Sequence, residues 1–426
     1  MKKLLRLPEH YDLVVGDTFE LFYKGITYCL NSDVYDYALS FTDGKNRGKG
    51  FARKYVLTSG EEDVGTHTLR VALYDNAGEL LDEGEVELRV VGKPKSPKEE
   101  RTVLLIGDSL TTGGVWPAEL GRRLLTTGGT PEGDGLAGVR FIGTKERDGV
   151  KYVGYGGWRY ESYTTPNKRD SFMILSGDFR DKREEVDQHS TWQDEAGARW
   201  KLEWVTDTEM KVIAESILAK LPAESGRLTH VMGGENTADI VFTDARQANA
   251  NPFWSLEKGA NDFCAYAASF GAERIDEVVI FLGWNHHANT AEQLMRLARP
   301  LLDDILTAFP ACHIGLVGLQ IPSRDGFAVN YGISWPWFSK MNKVFEFEDA
   351  YRALAAEPAY AGRVSVISLA GQYDTAYNSI TAEMPVNNRN QKTEAVQSNG
   401  VHCSDNGYRQ IADAIYRYLA TRLQGE

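Results

Sequence analysis

Residues Thr102 to Gly114 read TVLLIGDSLTTGG, an apolar run that breaks off at Gly107, Asp108 and Ser109. A short run of Val, Leu and Ile without polar alternation is the pattern of a strand buried on both faces. Three small or polar residues at its end place a hydroxyl where the strand gives way to a helix. Pro117 suits the first turn of that helix. Negative charge developing beside a helix N-terminus meets backbone N–H groups, so a serine here suits a nucleophile. Taken alone, Gly-Asp-Ser is equally a structural turn.

Reading outward, the chain from residue 101 alternates apolar strands with amphipathic helices. The strand candidates are TVLLI, VRFIG, DEVVIFLG, HIGLVGLQ and RVSVIS; the helix candidates are Pro117 to Leu125, Ala291 to Phe309, Phe338 to Ala356 and Asn406 to Leu423. This grammar predicts an α/β class, with a parallel sheet covered by helices on both faces. In such sheets the working site lies at the carboxyl ends of the strands, which is where Ser109 stands. Residues from about 166 to 275 break the rhythm. There STWQDEAGARWKLEWV puts Trp200, Leu202 and Trp204 on one face after a turn at Glu195 to Gly197, a hairpin pattern, and GGENTADIVFTD adds another strand. We read this region as a β-rich insertion in the α/β core.

Upstream, THTLRVALYD alternates Leu69, Val71 and Leu73 with polar residues, NAG turns the chain, and GEVELRVVG alternates through Val86, Leu88 and Val90. With TFELFYKGI and YDYALSF, this predicts a small β-sandwich over residues 1–92. GKPKSPKEER supplies two prolines and no apolar anchor, a linker over 93–101. The α/β domain would then occupy 102–426.

Size and charge narrow the function. A chain of 426 residues is long enough for two units and a substantial core. A net charge of -13 argues against a nucleic-acid binder. No apolar run has the length of a membrane span. Arg6 and Pro8 interrupt the apolar part of MKKLLRLPEHYD, so no export signal is read and a cytoplasmic location is the default expectation. Cys29, Cys264, Cys312 and Cys403 form no CxxC pair, which predicts reduced thiols. Cys403 follows a candidate histidine, but nothing nearby would lower its pKa toward a nucleophilic thiolate.

Three later segments support Ser109. Gly154 to Trp158, GYGGW, follows a strand-like run, and its glycines allow close backbone approach. LGWNHH sets Asn285 just after the strongest buried strand, where its amide could donate to an oxyanion. SNGVHCSDNGYRQIADAIY sets His402 before the C-terminal helix, where an imidazole could take the serine proton. Each has a plain alternative: a turn, a strand cap and a surface histidine.

In this order, these segments make the chain from Arg101 onward resemble the SGNH, or GDSL-type, hydrolases. Gly107, Asp108, Ser109 and Leu110 match the first signature, and Gly154 the glycine of the second, with Gly156 and Gly157 as alternative registers. Gly283, Trp284 and Asn285 match the third, with His286 where the family has Asp; His402 matches the fourth, with Asn399 in the Asp position. The resemblance implies a flavodoxin-like three-layer α/β/α domain and a serine esterase mechanism. Ser109 would be the nucleophile and His402 the base, with the N–H groups of Ser109 and Gly154 and the Asn285 amide as oxyanion donors. No metal or organic cofactor is implied.

Asn399 is the sharpest departure. In a serine protease triad, asparagine in place of the orienting aspartate costs about four powers of ten in rate. A backbone carbonyl could orient His402 instead, Asp405 or Asp374 could reach it, or the protein could bind without turnover. Asp405 also reads as a first-turn helix residue complementing the macrodipole.

For substrate, Trp158, Trp284, Trp335 and Trp337 fall in the candidate site segments, and flat rings with polar neighbours suit sugar faces, although Trp284 also suits a core position. Asp108 and His286 complete the candidate substrate-binding set. With the family's many carbohydrate deacetylases, this makes an acetylated oligosaccharide the expected substrate, with a non-hydrolytic glycan binder and a lysophospholipase or thioesterase as the alternatives. GDGLAG, Gly133 to Gly138, fits GxGxxG but precedes a strand rather than a helix, so no dinucleotide site is read. HExxH and GxSxG are both absent.

Overall fold

The computed structural model describes residues 3–166, 172–182, 186, 190–214, 225–233, 239–248, 251–255 and 257–423. They form a mixed α/β protein of two compact units: residues 1–160 with 262–426, and residues 161–261.

The larger unit begins with six strands: β1 His10–Val14, β2 Thr18–Phe22, β3 Asp36–Phe41, β4 Lys54–Thr58, β5 Gly65–Tyr74 and β6 Leu80–Val91. One sheet runs β1-β6-β5-β3, and in a second β4 lies between β2 and the two-residue strand Lys49–Gly50. Alternation dictates what faces inward: Leu69, Val71, Leu73, Val86, Leu88 and Val90 join Tyr11, Phe19, Leu21 and Leu57 in one core. TFELFYKGI departs from its predicted strand after Phe22, where Tyr23–Ile26 make a helical turn. The reason is tertiary. A Cβ on Gly25 would stand 2.5 Å from the Gly371 nitrogen, so two backbones meet there and a straight strand cannot pass.

The central sheet follows. Its strands are β7 Arg101–Gly107, β8 Val139–Ile142, β9 Lys145–Arg147, β10 Val150–Gly154, β11 Glu277–Phe281, β12 His313–Val317 and β13 Val364–Ile367. They are ordered β9-β10-β7-β11-β12-β13, with β8 also on β7. All pairings are parallel except β9 with β10. The apolar runs read from sequence are buried throughout β11 and in all of β7 beyond Arg101. Register aligns Gly107 with both Phe281 and Gly154, so the carboxyl ends of three strands finish side by side.

Four helices accompany the sheet: α1 Val115–Leu125, α2 Ala291–Ala308, α3 Trp337–Ala355 and α4 Asp405–Arg422. α1 packs with α4, and α2 with α3. α2 starts with a capping box, in which Thr290 accepts from Gln293 N and the Gln293 side chain accepts from Thr290 N. α1 starts two residues earlier than the proline implies. Pro117 is its third residue, still within the turn where a missing N–H costs nothing.

A buried ion network joins the N-terminal strands to α1 and α4. The Asp17 carboxylate accepts from Arg123 at 2.9 Å and from Arg417 at 2.6 Å, and Arg123 also reaches Asp413 at 2.6 Å. Burial by itself would raise the Asp17 carboxyl, but the two guanidinium groups hold it below the usual range. Backbone contacts add to the seam: Tyr11 Oη donates to Ala370 O and Phe22 N to Gly371 O, both at 2.7 Å.

The second unit is a β-structure. Antiparallel strands include Thr191–Gln193, Arg199–Thr206 and Glu209–Ala214, around a core of Trp192, Trp200, Leu202, Met210 and Val212. Trp192 pairs with Trp200 across the expected hairpin, and Gly197 takes the positive φ of 87° that its turn requires. In GGENTADIVFTD the strand is Ile240–Phe242, while residues 234–238 lie outside the described residues. The larger unit also carries a largely exposed hairpin that no sequence pattern announces, β14 Thr381–Asn387 with β15 Asn390–Gln397.

Candidate active site

The site is built at the carboxyl ends of β7 and β11. β7 runs straight into a one-turn helix, Ser109–Thr112, whose cap is the Asp108 side chain accepting from Leu110 N at 3.0 Å. This turn holds the half-buried Ser109 at the strand end. Thr111 packs back onto the sheet, and a Cβ on Gly107 or Gly154 would stand 1.9 Å or 2.8 Å from its side chain. Packing thus accounts for both glycines.

His402 arrives from the far end of the chain, with Nε2 at 3.0 Å from Ser109 Oγ. Its loop is anchored through the backbone. Asn399 Oδ1 accepts from Val401 N at 2.9 Å and His402 N at 2.8 Å, Ser323 Oγ donates to Asn399 O at 2.6 Å, and Gly400 N donates to Asn330 Oδ1 at 2.6 Å. Beyond it, Ser404 donates from both N and Oγ to Asn378 O at 2.9 Å. The asparagine in the aspartate position therefore shapes the loop, and its carbonyl oxygen is used on main-chain N–H groups. Among the described residues, no hydrogen-bond partner meets His402 Nδ1, and burial alone lowers the imidazole below its usual value. Among the described residues no carbonyl accepts from the ring. Asp405 lies in the first turn of α4, and Asp374 pairs with Arg53 at 2.7 Å.

Asn285 follows β11 and Gly283, whose φ of 139° only glycine tolerates readily. Its amide donates to Trp158 O at 2.8 Å and to Asp108 Oδ2 at 3.2 Å, so both amide hydrogens are engaged. Asp108 is fully buried, and burial pushes its carboxyl up to about 7. It holds the nucleophile turn and Asn285 in place, rather than offering a surface to a ligand.

The aromatic candidates divide sharply. Trp158, Trp284, His286 and Trp337 are buried and present no ring face to a sugar. Trp284 instead donates from Nε1 to Gln320 Oε1 at 2.9 Å, and Trp337 to Pro322 O at 2.9 Å. Trp335 is 56% exposed. Cys403 is buried, and that burial pushes its thiol up to about 12, far from a thiolate nucleophile.

Sequence reasoning missed Gln320. It accepts from Trp284 and donates from Nε2 to Val401 O at 2.7 Å, linking the Asn285 turn to the His402 loop across a fully buried amide. A glutamine closing an apolar strand was the available signal. Among the described residues, no group of three His, Cys, Asp or Glu side chains is placed to hold a metal ion. No helix among them is long and apolar enough to cross a membrane.

No family model and no curated protein matches the chain. Solved structures that resemble it include a family 3 carbohydrate esterase from Clostridium thermocellum, at 14% identity and a TM-score of 0.36 over 77% of this chain and 100% of that one. Another is a family 3 carbohydrate esterase from Talaromyces cellulolyticus, at 12% identity and a TM-score of 0.34 over 76% and 98%. Others are described as SGNH or GDSL-like proteins.

Proposed function

We propose that this chain is a serine ester hydrolase of the SGNH type that removes short acyl groups, acetyl above all, from carbohydrate. The observation that carries the reading is the 3.0 Å contact between Ser109 Oγ and His402 Nε2 at the carboxyl end of a buried strand. Ser109 Oγ attacks the ester carbonyl carbon as His402 Nε2 takes its proton. The N–H groups of Ser109 and Gly154 hold the oxyanion, and Asn285 joins them by exchanging its longer bond to Asp108. Collapse expels the alcohol, which takes the proton from His402. Water, activated by the same imidazole, then attacks the acyl-enzyme and releases the acid and Ser109. The central sheet with its two helix pairs supports a three-layer α/β/α domain, and residues 1–92 serve it as a bracing β-sandwich.

The exposed face of Trp335 supports a sugar ligand. One observation favours a second reading, a glycan binder without turnover: Nδ1 of His402 meets no partner among the described residues. A fluorophosphonate probe with peptide mapping separates them. Stoichiometric labelling at Ser109, lost in Ser109→Ala, is expected; no labelling and no hydrolysis of p-nitrophenyl acetate would establish the binder. In an acyl series from acetate to decanoate, preference for long chains would overturn the deacetylase in favour of a lipase or thioesterase.

A further inference from the structure

Beside the candidate active site, α3 buries a cation with no anion to meet it. Lys340 is only 4% exposed, and among the described residues its Nζ makes neither an ion pair nor a hydrogen bond. It lies 4.8 Å from the ring centre of Tyr331 and 5.2 Å from that of Trp335. Desolvation, then the charge of Lys343, lowers its titration below the ordinary lysine range, as befits an ammonium without a counter-ion. Two ring faces recover part of the hydration lost, and an ammonium that keeps some contact with solvent stays open to a partner of opposite sign. A purely structural position under a tryptophan would be filled as well by Met or Leu. Among the described residues no Asp or Glu pairs with it.

The neighbours of this cation border the candidate active site. Tyr331 packs near Trp284, at 6.4 Å between ring centres, and near His287, at 5.7 Å. It is close enough to Asp108 that this carboxylate, after burial, helps raise its hydroxyl. The preceding residue, Asn330, accepts from Gly400 N in the His402 loop. Lys340 and Arg159 both act on His287 to lower its titration, secondary to burial. Lys343 is paired with Glu346 at 3.2 Å, whereas Lys340 has no such partner among the described residues.

We propose that Lys340, roofed by Trp335 and flanked by Tyr331, anchors a carboxylate of the substrate, so that the ester cleaved at Ser109 belongs to an acidic sugar. This rests on the ester-hydrolase reading above. The Trp335 ring would take the apolar face of the sugar while the ammonium meets its carboxylate, and the Tyr331 hydroxyl, half-buried and unbonded among the described residues, is placed to donate to the same group.

The test compares an O-acetylated methyl glucuronoside, its carboxylate free, with the O-acetylated methyl glucoside. The wild-type protein is expected to favour the acidic ester in kcat/KM by about tenfold or more at low salt, with the ratio falling as salt is raised. Lys340→Met should cut that ratio at least about tenfold and Lys340→Arg should preserve most of it, thermal unfolding serving as the check on folding. The wild-type salt series decides the matter even if the methionine variant does not fold. Equal rates on both esters at every salt concentration would overturn the subsite while leaving the hydrolase intact. Binding of sodium glucuronate and of methyl glucoside to Ser109→Ala protein, followed by NMR, covers the other failure. Uronate-selective binding with no turnover by the wild type would overturn the hydrolase and keep the subsite; equal binding of the two would end the proposal.

Discussion

Replacing Asn399 distinguishes two accounts of how His402 is held. In the structure its Oδ1 accepts two backbone N–H bonds, of 2.9 Å from Val401 and 2.8 Å from His402. Each is worth roughly 0.5–1.5 kcal/mol net, so Asn399→Ala removes about 1–3 kcal/mol from the loop that presents the imidazole. At 1.36 kcal/mol per factor of ten, the full effect on positioning would be a loss of about 5- to 150-fold in kcat. Asn399→Asp keeps an acceptor for both N–H groups and should stay within about threefold of wild type. If residue 399 were instead an orienter disabled by amidation, restoring the carboxylate should recover a large part of the roughly four powers of ten seen in a serine protease triad. The assay is steady-state hydrolysis of p-nitrophenyl acetate by the Ala and Asp variants beside His402→Ala, each checked for folding by thermal unfolding. A gain of tenfold or more in Asn399→Asp would refute the loop-anchoring argument. So would an Asn399→Ala protein with unchanged kcat alongside an inactive His402→Ala.

The remaining predictions concern pH and stability. His402 must be neutral to accept a proton, and burial lowers its pKa below 6.5 with no carboxylate to raise it, so kcat/KM should reach half its plateau below pH 6.5 and be flat by neutrality; a midpoint at 7 or above would reveal an acidic partner. Asp17→Asn leaves Arg417 without its carboxylate and Arg123 with Asp413 alone, and should cost about 3–5 kcal/mol in urea unfolding at neutral pH. Because the folded Asp17 carboxyl titrates below its unfolded value, this contribution is present in full above the unfolded carboxylate pKa and fades as pH falls through the folded one. A loss under about 1 kcal/mol at neutral pH would mean that the network contributes nothing beyond its surroundings.

Much of the architecture was legible because it is written in local periodicity. TVLLI and DEVVIFLG are buried on both faces and read as such, alternation between Leu69 and Val90 marks a sheet with one inner face, and the Trp192 to Trp204 hairpin follows from spacing and a glycine turn. Strand ends are local features too, which is why Ser109 and Asn285 could be named before any coordinates. The exposed hairpin β14–β15 escaped notice because no buried face imprints a pattern on it.

What lies beyond one element's own period could not be read that way. Trp158 and Trp335 look alike in sequence, yet the first is sealed in the core and the second faces solvent, since exposure is decided by whichever distant segment packs on top. Asn399 occupies the position of an orienter, but the turn it closes directs its oxygen to main-chain N–H groups. Gln320 and Lys340 carried no motif at all. Their significance arises only when the segment after β12 and α3 bring an amide between two loops and an ammonium beneath an aromatic roof. The amino-acid order by itself determined which segments become strands and helices and which hydroxyl stands at a strand end, because burial patterns repeat over a few residues. Tertiary packing decided which side chains meet and which charge is left unanswered, because those contacts join residues up to 400 positions apart.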